Sequence, residues 1–208
     1  MSTTQTPESQ SAITPSQAIE ILKQGNVRFT SGSTTSRDYQ SQVSQTAGGQ
    51  YPLAAVVSCI DSRIPTEIVF DQGIGDIFNA RIAGNFVNED ILGSLEFACK
   101  VAGAKAIVVM GHTSCGAIKG ACDKAELGNL TQMLEKIMPA VDAIHTPEGT
   151  DRSSANNEFV DAVAAKNVEL TLVKIKENSP VLKEMIEANE IEIVGAMYDV
   201  ASGKVSFL

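Results

Sequence analysis

Ala106-Ile107-Val108-Val109-Met110-Gly111-His112-Thr113-Ser114-Cys115-Gly116 carries the signal that decides the fold of this chain. The first five residues are an unbroken apolar run, the pattern of a strand buried on both faces of a parallel sheet, and chemistry-bearing residues follow at once. A second stretch has the same build, Leu53-Ala54-Ala55-Val56-Val57-Ser58 and then Cys59-Ile60-Asp61-Ser62-Arg63. If the two strands are neighbours, their C-terminal ends bring Cys59, His112 and Cys115 together, where open α/β sheets place their ligands. These residue types then read as the halves of a catalytic zinc site.

Outward from these stretches, strands and helices alternate. Thr14-Pro15-Ser16-Gln17 has the order of an N-cap, a first-turn proline and a capping-box glutamine, with Ile19, Leu22 and Phe29 on an apolar side and Gly25 as a stop. Gly32 to Gln50 is rich in Ser, Thr and Gln and reads as a loop or a partner-contacting arm. Strands are predicted over Leu53–Ser58, Ile77–Ile82, Ala104–Met110, Ile191–Val200 and Val205–Leu208. Between them lie helical patterns at Pro65–Phe70, from Asn88 to Gly103, Ala117–Lys124, Leu130–Ile144 with a break near Pro139, Phe159–Glu177, and onward from Ser179-Pro180. The expected fold is α/β, a mainly parallel β-sheet flanked by helices, with an N-terminal helical arm and a C-terminal antiparallel edge hairpin. Residues 1–12 are expected to be a disordered tail and 13–208 a single domain.

Composition bounds the function. The 208 residues suffice for one substantial core, and the net charge of −9 argues against a broad nucleic-acid-binding face. No apolar run approaches the length of a transmembrane helix, and Met1 to Ala12 has neither a basic n-region nor an apolar h-region. The expectation is a cytoplasmic protein with no nucleic-acid or membrane partner. Four cysteines at irregular spacing do not form a secreted disulfide framework. Cys99 and Cys122 read as packing thiols, His145 as a loop histidine, and Gly73-x-Gly75 as a turn.

Zinc with two thiolates and a neutral imidazole has a first-shell charge of zero and is a weaker Lewis acid than a three-histidine site. Asp61, two residues after Cys59, points to the same side in an extended segment, and Arg63 can hold it ionised through its planar fork. Such an Asp can take the fourth zinc position or accept a hydrogen bond from zinc-bound water and orient its attack. Gly116 lets the following helix start close to the metal.

The pattern C-x-D-x-R over Cys59–Arg63, followed about fifty residues later by H-x-x-C-G over His112–Gly116, resembles the β-class carbonic anhydrases. Gly25-Asn26-x-Arg28-Phe29, Arg81-x-Ala83-Gly84-Asn85 and Gly195-Ala196-x-Tyr198-Asp199-Val200 strengthen the match, which spans nearly the whole chain. The resemblance implies one Zn2+ per chain held by Cys59, His112 and Cys115. It makes Asp61 and Arg63 the catalytic dyad, with Asp61 an alternative fourth ligand in a closed form. Substrate-binding positions would be Gln50, reaching the neighbouring subunit's site, the wall residues Phe78 and Phe97, and the Gly116 backbone. The implied reaction is reversible hydration of carbon dioxide to bicarbonate and a proton by zinc-bound hydroxide. A homodimer or tetramer with sites near the subunit interface is implied too. Members with a non-catalytic bicarbonate site carry Trp three residues before the first cysteine; Val56 stands there, so the open form is expected. Two other readings remain: the same site acting on carbonyl sulfide or carbon disulfide, and a zinc or bicarbonate-sensing protein without turnover. A structural site prefers a fourth Cys or His, and none is evident.

Overall fold

A computed structural model describes residues 4–208. Its centre is a five-stranded sheet in the order β2-β1-β3-β4-β5, formed by β1 (Ala54–Ser58), β2 (Ile77–Arg81), β3 (Ala106–His112), β4 (Glu192–Tyr198) and β5 (Val205–Phe207). The first four strands are parallel and β5 returns antiparallel on β4, the edge hairpin that Ala201-Ser202-Gly203 turns. All residues of β1 and β3 are buried, because helices cover both faces. One layer of core gathers Val56, Val108, Leu22 and Ile118; the other gathers Val57, Val109, Leu95 and Leu182.

The helices are α1 (Pro7–Ala12), α2 (Pro15–Thr30), α3 (Tyr39–Thr46), α4 (Thr66–Val69), α5 (Glu89–Glu96, continued by one π turn at Phe97–Val101), α6 (Gly116–Cys122), α7 (Gly128–Glu135), α8 (Met138–Ala143), α9 (Asn157–Asn178) and α10 (Pro180–Glu187). Thr14, Asn88 and Ser179 cap their helices as the sequence predicts, and Pro139 lies in the first turn of α8, after the break.

Three expectations change. The segment expected to be a tail forms α1, capped by Thr6 and anchored by Gln10, whose buried amide donates to the carbonyls of Pro52 and Ala102 at 2.8 Å each. The part of that expectation covering Met1 to Thr3 lies outside the described residues. The polar stretch contains α3, which Asp38 caps and buried Gln42 pins by accepting from the Ile74 N–H. Helix α2 does not stop at Gly25. The glycine is there because the Phe70 backbone crosses it: a Cβ would lie 1.8 Å from the Phe70 carbonyl oxygen. Gly25→Ala is therefore expected to destabilise the protein by about 3 kcal/mol or more, the upper range for overpacking. A fall in the urea midpoint checks this, and an unchanged midpoint contradicts it.

The N-terminal signature residues act at this crossing. Asn26 donates to the carbonyls of Val69 and Gly203 and accepts from the Val205 N–H, tying α2 to β5. Arg28 and Arg37 both pair with buried Asp71, which keeps its carboxyl below the usual range despite burial.

Candidate metal centre

The strand register builds the site. Ser58 at the end of β1 pairs with Met110 in β3, so Cys59 leaves its strand beside the last turn of backbone that carries His112. His112 ends β3 opposite Tyr198 of β4, and Cys115 caps α6. Ser114 between them adopts φ 54°, the left-handed conformation that folds Cys115 back toward His112.

One ligand-capable atom from each of Cys59, His112 and Cys115 lies within 4.8 Å of the others, and all three residues are buried. The two sulfurs are 3.9 Å apart, close to the ~3.8 Å that tetrahedral coordination at a Zn–S distance of ~2.3 Å requires. A disulfide would need ~2.05 Å. His112 bonds through Nδ1 to the Thr113 carbonyl at 2.9 Å, while its Nε2 is buried without a partner. A buried polar atom without a partner is costly, and a metal at the triad would satisfy it. The donor set of two thiols and an imidazole thus fits zinc.

The hydrogen bond with Cys115 holds the Cys59 thiol well below its ordinary range against the opposing effect of burial. Cys115 is pushed up in turn by that hydrogen bond and by burial. Thiols bind a divalent cation as thiolates, so metal binding at the triad would release protons. The Gly84 N–H also points at Cys59 Sγ, at 3.4 Å.

Arg63 grips Asp61 through a planar fork, Nε to Oδ1 at 2.9 Å and Nη2 to Oδ2 at 2.7 Å, and its backbone N–H reaches Oδ1 at 2.9 Å. These bonds lower the Asp61 carboxyl to about 2. The sign follows: the pair is complete above the ordinary value of 3.8 and is lost as pH falls through about 2. Asp61 Oδ2 lies 4.0 Å from His112 Nε2, beside the triad, with both carboxylate oxygens held by Arg63.

Arg81 has a structural role that its turn motif does not announce. It clamps the Cys59–Asp61 backbone, donating through Nε to the Cys59 carbonyl at 2.9 Å and through Nη2 to the Asp61 carbonyl at 2.6 Å. The signal was its place at the end of β2, opposite Ser58. Tyr198 Oη contacts the Arg63 carbonyl at 3.5 Å.

Gly116 opens α6 next to Cys115, and a Cβ there would meet nothing within 4 Å. The remaining expected residues lie elsewhere in the subunit. Phe78 and Phe97 stack edge to face, centroids 6.2 Å apart, in a groove of about 620 Å³ lined also by Ala55, Ala80 and Leu95. Gln50 is exposed in a separate groove with Thr46 and Ile74. Neither groove includes the triad.

Residues 54–205 match the family model described as carbonic anhydrase. Carbonic anhydrase of Mycolicibacterium smegmatis is 35% identical over 198 residues, covering 92% of each chain. Carbonic anhydrase 2 of Mycobacterium tuberculosis is 34% identical over 199 residues, covering 91% of each. Among solved structures, a tetrameric β-carbonic anhydrase of Sordaria macrospora superposes with a TM-score of 0.68 at 27% identity, over 81% of this chain and 90% of that one. The β-carbonic anhydrase CafA of Aspergillus fumigatus shares the fold, with a TM-score of 0.71 over 93% and 89% of the two chains at 24% identity. An α/β chain with a cysteine-histidine-cysteine triad at its strand ends is thereby placed among the lyases. The chain belongs to the β-class carbonic anhydrase family.

Proposed function

We propose that the enzyme hydrates carbon dioxide reversibly to bicarbonate, using one zinc ion per chain held by Cys59, His112 and Cys115. The observation that carries this reading is the buried triad with its unpartnered His112 Nε2, set beside a carboxylate that Arg63 keeps ionised. Zinc would supply a hydroxide nucleophile from water near neutral pH. Asp61, whose paired carboxylate has no proton of its own at working pH, would accept a hydrogen bond from a water or hydroxide held at the triad and orient it. Arg63 engages both Asp61 oxygens and would keep the carboxylate from taking a ligand position. With Val56 in place of Trp, nothing on β1 favours the closed form. Burial of the triad keeps bulk water from its three ligand-capable groups, while the Asp61–Arg63 pair stands at the exposed rim.

Gln50, Phe78 and Phe97 serve the site from a neighbouring subunit: all three lie away from their own chain's triad, and Phe97 is 52% exposed. The Sordaria relative is described as tetrameric, which supports a working unit of at least two chains. Carbon dioxide and bicarbonate are the small-molecule partners, with Gly116 and Gln50 holding oxygen. A cytoplasmic location belongs to this reading, supported by four free thiols. Among the described residues, no helix is long and apolar enough to cross a membrane.

Stopped-flow carbon dioxide hydration tests the proposal. Zinc-loaded protein should accelerate hydration with a rate rising from neutral to mildly alkaline pH, and dilution to monomers should abolish it. A fully active monomer in sedimentation-coupled assays would remove the shared-site part of the account.

A further inference from the structure

We infer that helix α9 is the brace of the metal centre, and that Asn167 and Asp161 on it are positioning residues for Cys59 and Cys115. The proposal rests on the zinc reading above. Asn167 acts through Gly84, whose N–H contacts Cys59, and Asp161 acts through Ser114, which directly precedes Cys115.

Both turns beside the ligands use left-handed backbone, which glycine and asparagine tolerate at Gly84-Asn85 and which is costlier at Ser114. Gly84 and Asn85 are consecutive left-handed residues, at φ 80° and 41°, and Ser114 is a third at 54°. Non-glycine residues reach this region at a cost, and such turns persist when the surroundings hold them. The Gly84 N–H contacts Cys59 Sγ, so the pose of that turn sets a donor on the first ligand. Its carbonyl accepts from buried Asn167 Nδ2 at 2.7 Å. Ser114 lies directly before Cys115, and its N–H donates to Asp161 Oδ1 at 3.1 Å.

Helix α9 is suited to this role because two glycines let it press onto the sheet. A Cβ at Gly111, the residue before His112, would lie 2.8 Å from Val168 Cγ2, and one at Gly195 would lie 2.8 Å from Val168 Cγ1. Val168, next to Asn167, is thus wedged over β3 and β4 beside the third ligand. One rigid element of 22 residues therefore fixes the height of His112's strand and the pose of both cysteine loops. Outer contacts of this type orient metal ligands, and their loss typically lowers metal affinity roughly 10–100-fold.

The two residues play opposite hydrogen-bonding parts, which gives the test its contrast. Asn167 must donate, so Asn167→Asp places a carboxylate against the Gly84 carbonyl. Asp161 must accept, so Asp161→Asn keeps a carbonyl oxygen for Ser114 while Asp161→Leu does not. Zinc affinity is measured by chelator competition on full-length protein, and amide exchange at Gly84 and Ser114 is followed in the metal-free state. Asn167→Asp and Asp161→Leu should each weaken zinc binding about 10–100-fold. The first should speed exchange at Gly84 and the second at Ser114. Asp161→Asn should restore values close to the parent's. Thr171→Val, one turn further along α9 and buried, should change neither. Parental affinity and exchange in Asn167→Asp and Asp161→Leu would overturn the brace, as would an equal loss in Thr171→Val. If Asn167→Asp does not fold, the Leu and Asn variants at Asp161 still decide the matter at Cys115. A parent that binds no zinc would sink the zinc reading instead, while the exchange rates would still report on the brace.

Discussion

Cys115→Ser is expected to strip the protein of most of its zinc and to reduce carbon dioxide hydration to the buffer background. The substitution changes a single atom at a position 1% exposed, so packing is nearly conserved and the fold should stand. What is lost is a thiolate. A hydroxyl at this position does not ionise near neutral pH, so the site loses one of its two negative charges as well as its softer donor. The affinity loss should exceed the roughly 100-fold upper range for outer contacts, reaching about 10³-fold or more. Metal analysis after gel filtration, paired with circular dichroism, checks this. A folded Cys115→Ser protein that keeps one zinc per chain would show that the triad is not the ligand set.

Asp61→Asn should separate binding from turnover. The carboxylate stands outside the triad, so zinc should remain. The hydration rate should fall on the order of 10²-fold or more, the scale of a lost acid–base partner. Two effects combine. The amide is neutral and accepts through one oxygen, and its NH2 group would face the Arg63 fork that now donates to both Asp61 oxygens. Arg63→Ala should also weaken activity, by freeing Asp61 to swing onto the metal. If Asp61→Asn hydrates carbon dioxide at the parent's rate with zinc bound, Asp61 is an ordinary strand-end ion pair and the catalytic assignment fails.

The triad was legible because its residues follow buried strands. Apolar runs of five residues announce β1 and β3, parallel pairing then aligns their ends, and the ligands fall where the register puts them. Caps at Thr14, Asn88 and Ser179 were legible for the same reason, a local pattern with a local cause. Polar anchors were not. Gln10 fixes α1, Gln42 fixes α3, and Asn167 fixes the Gly84 turn, each through buried hydrogen bonds to backbone far away in sequence. A buried glutamine reads in sequence as a surface residue, so α1 reads as a tail and α3 as a loop or partner-contacting arm. Gly25 misled in the same way: glycine marks a helix end or a close crossing, and only the path of Phe70 distinguishes them. The residues proposed to serve a neighbouring subunit's site, Gln50 and the Phe78–Phe97 pair, are beyond the reach of spacing within one chain.

The proposed catalytic zinc site of Cys59, His112 and Cys115, with one coordination position open, is tested by zinc-edge X-ray absorption on the purified, active protein. The expected result is one zinc per chain in a four-coordinate shell of two sulfurs at ~2.3 Å, one nitrogen and one oxygen at ~2.0–2.1 Å. A shell with no sulfur, or activity in protein that holds no zinc, would contradict it.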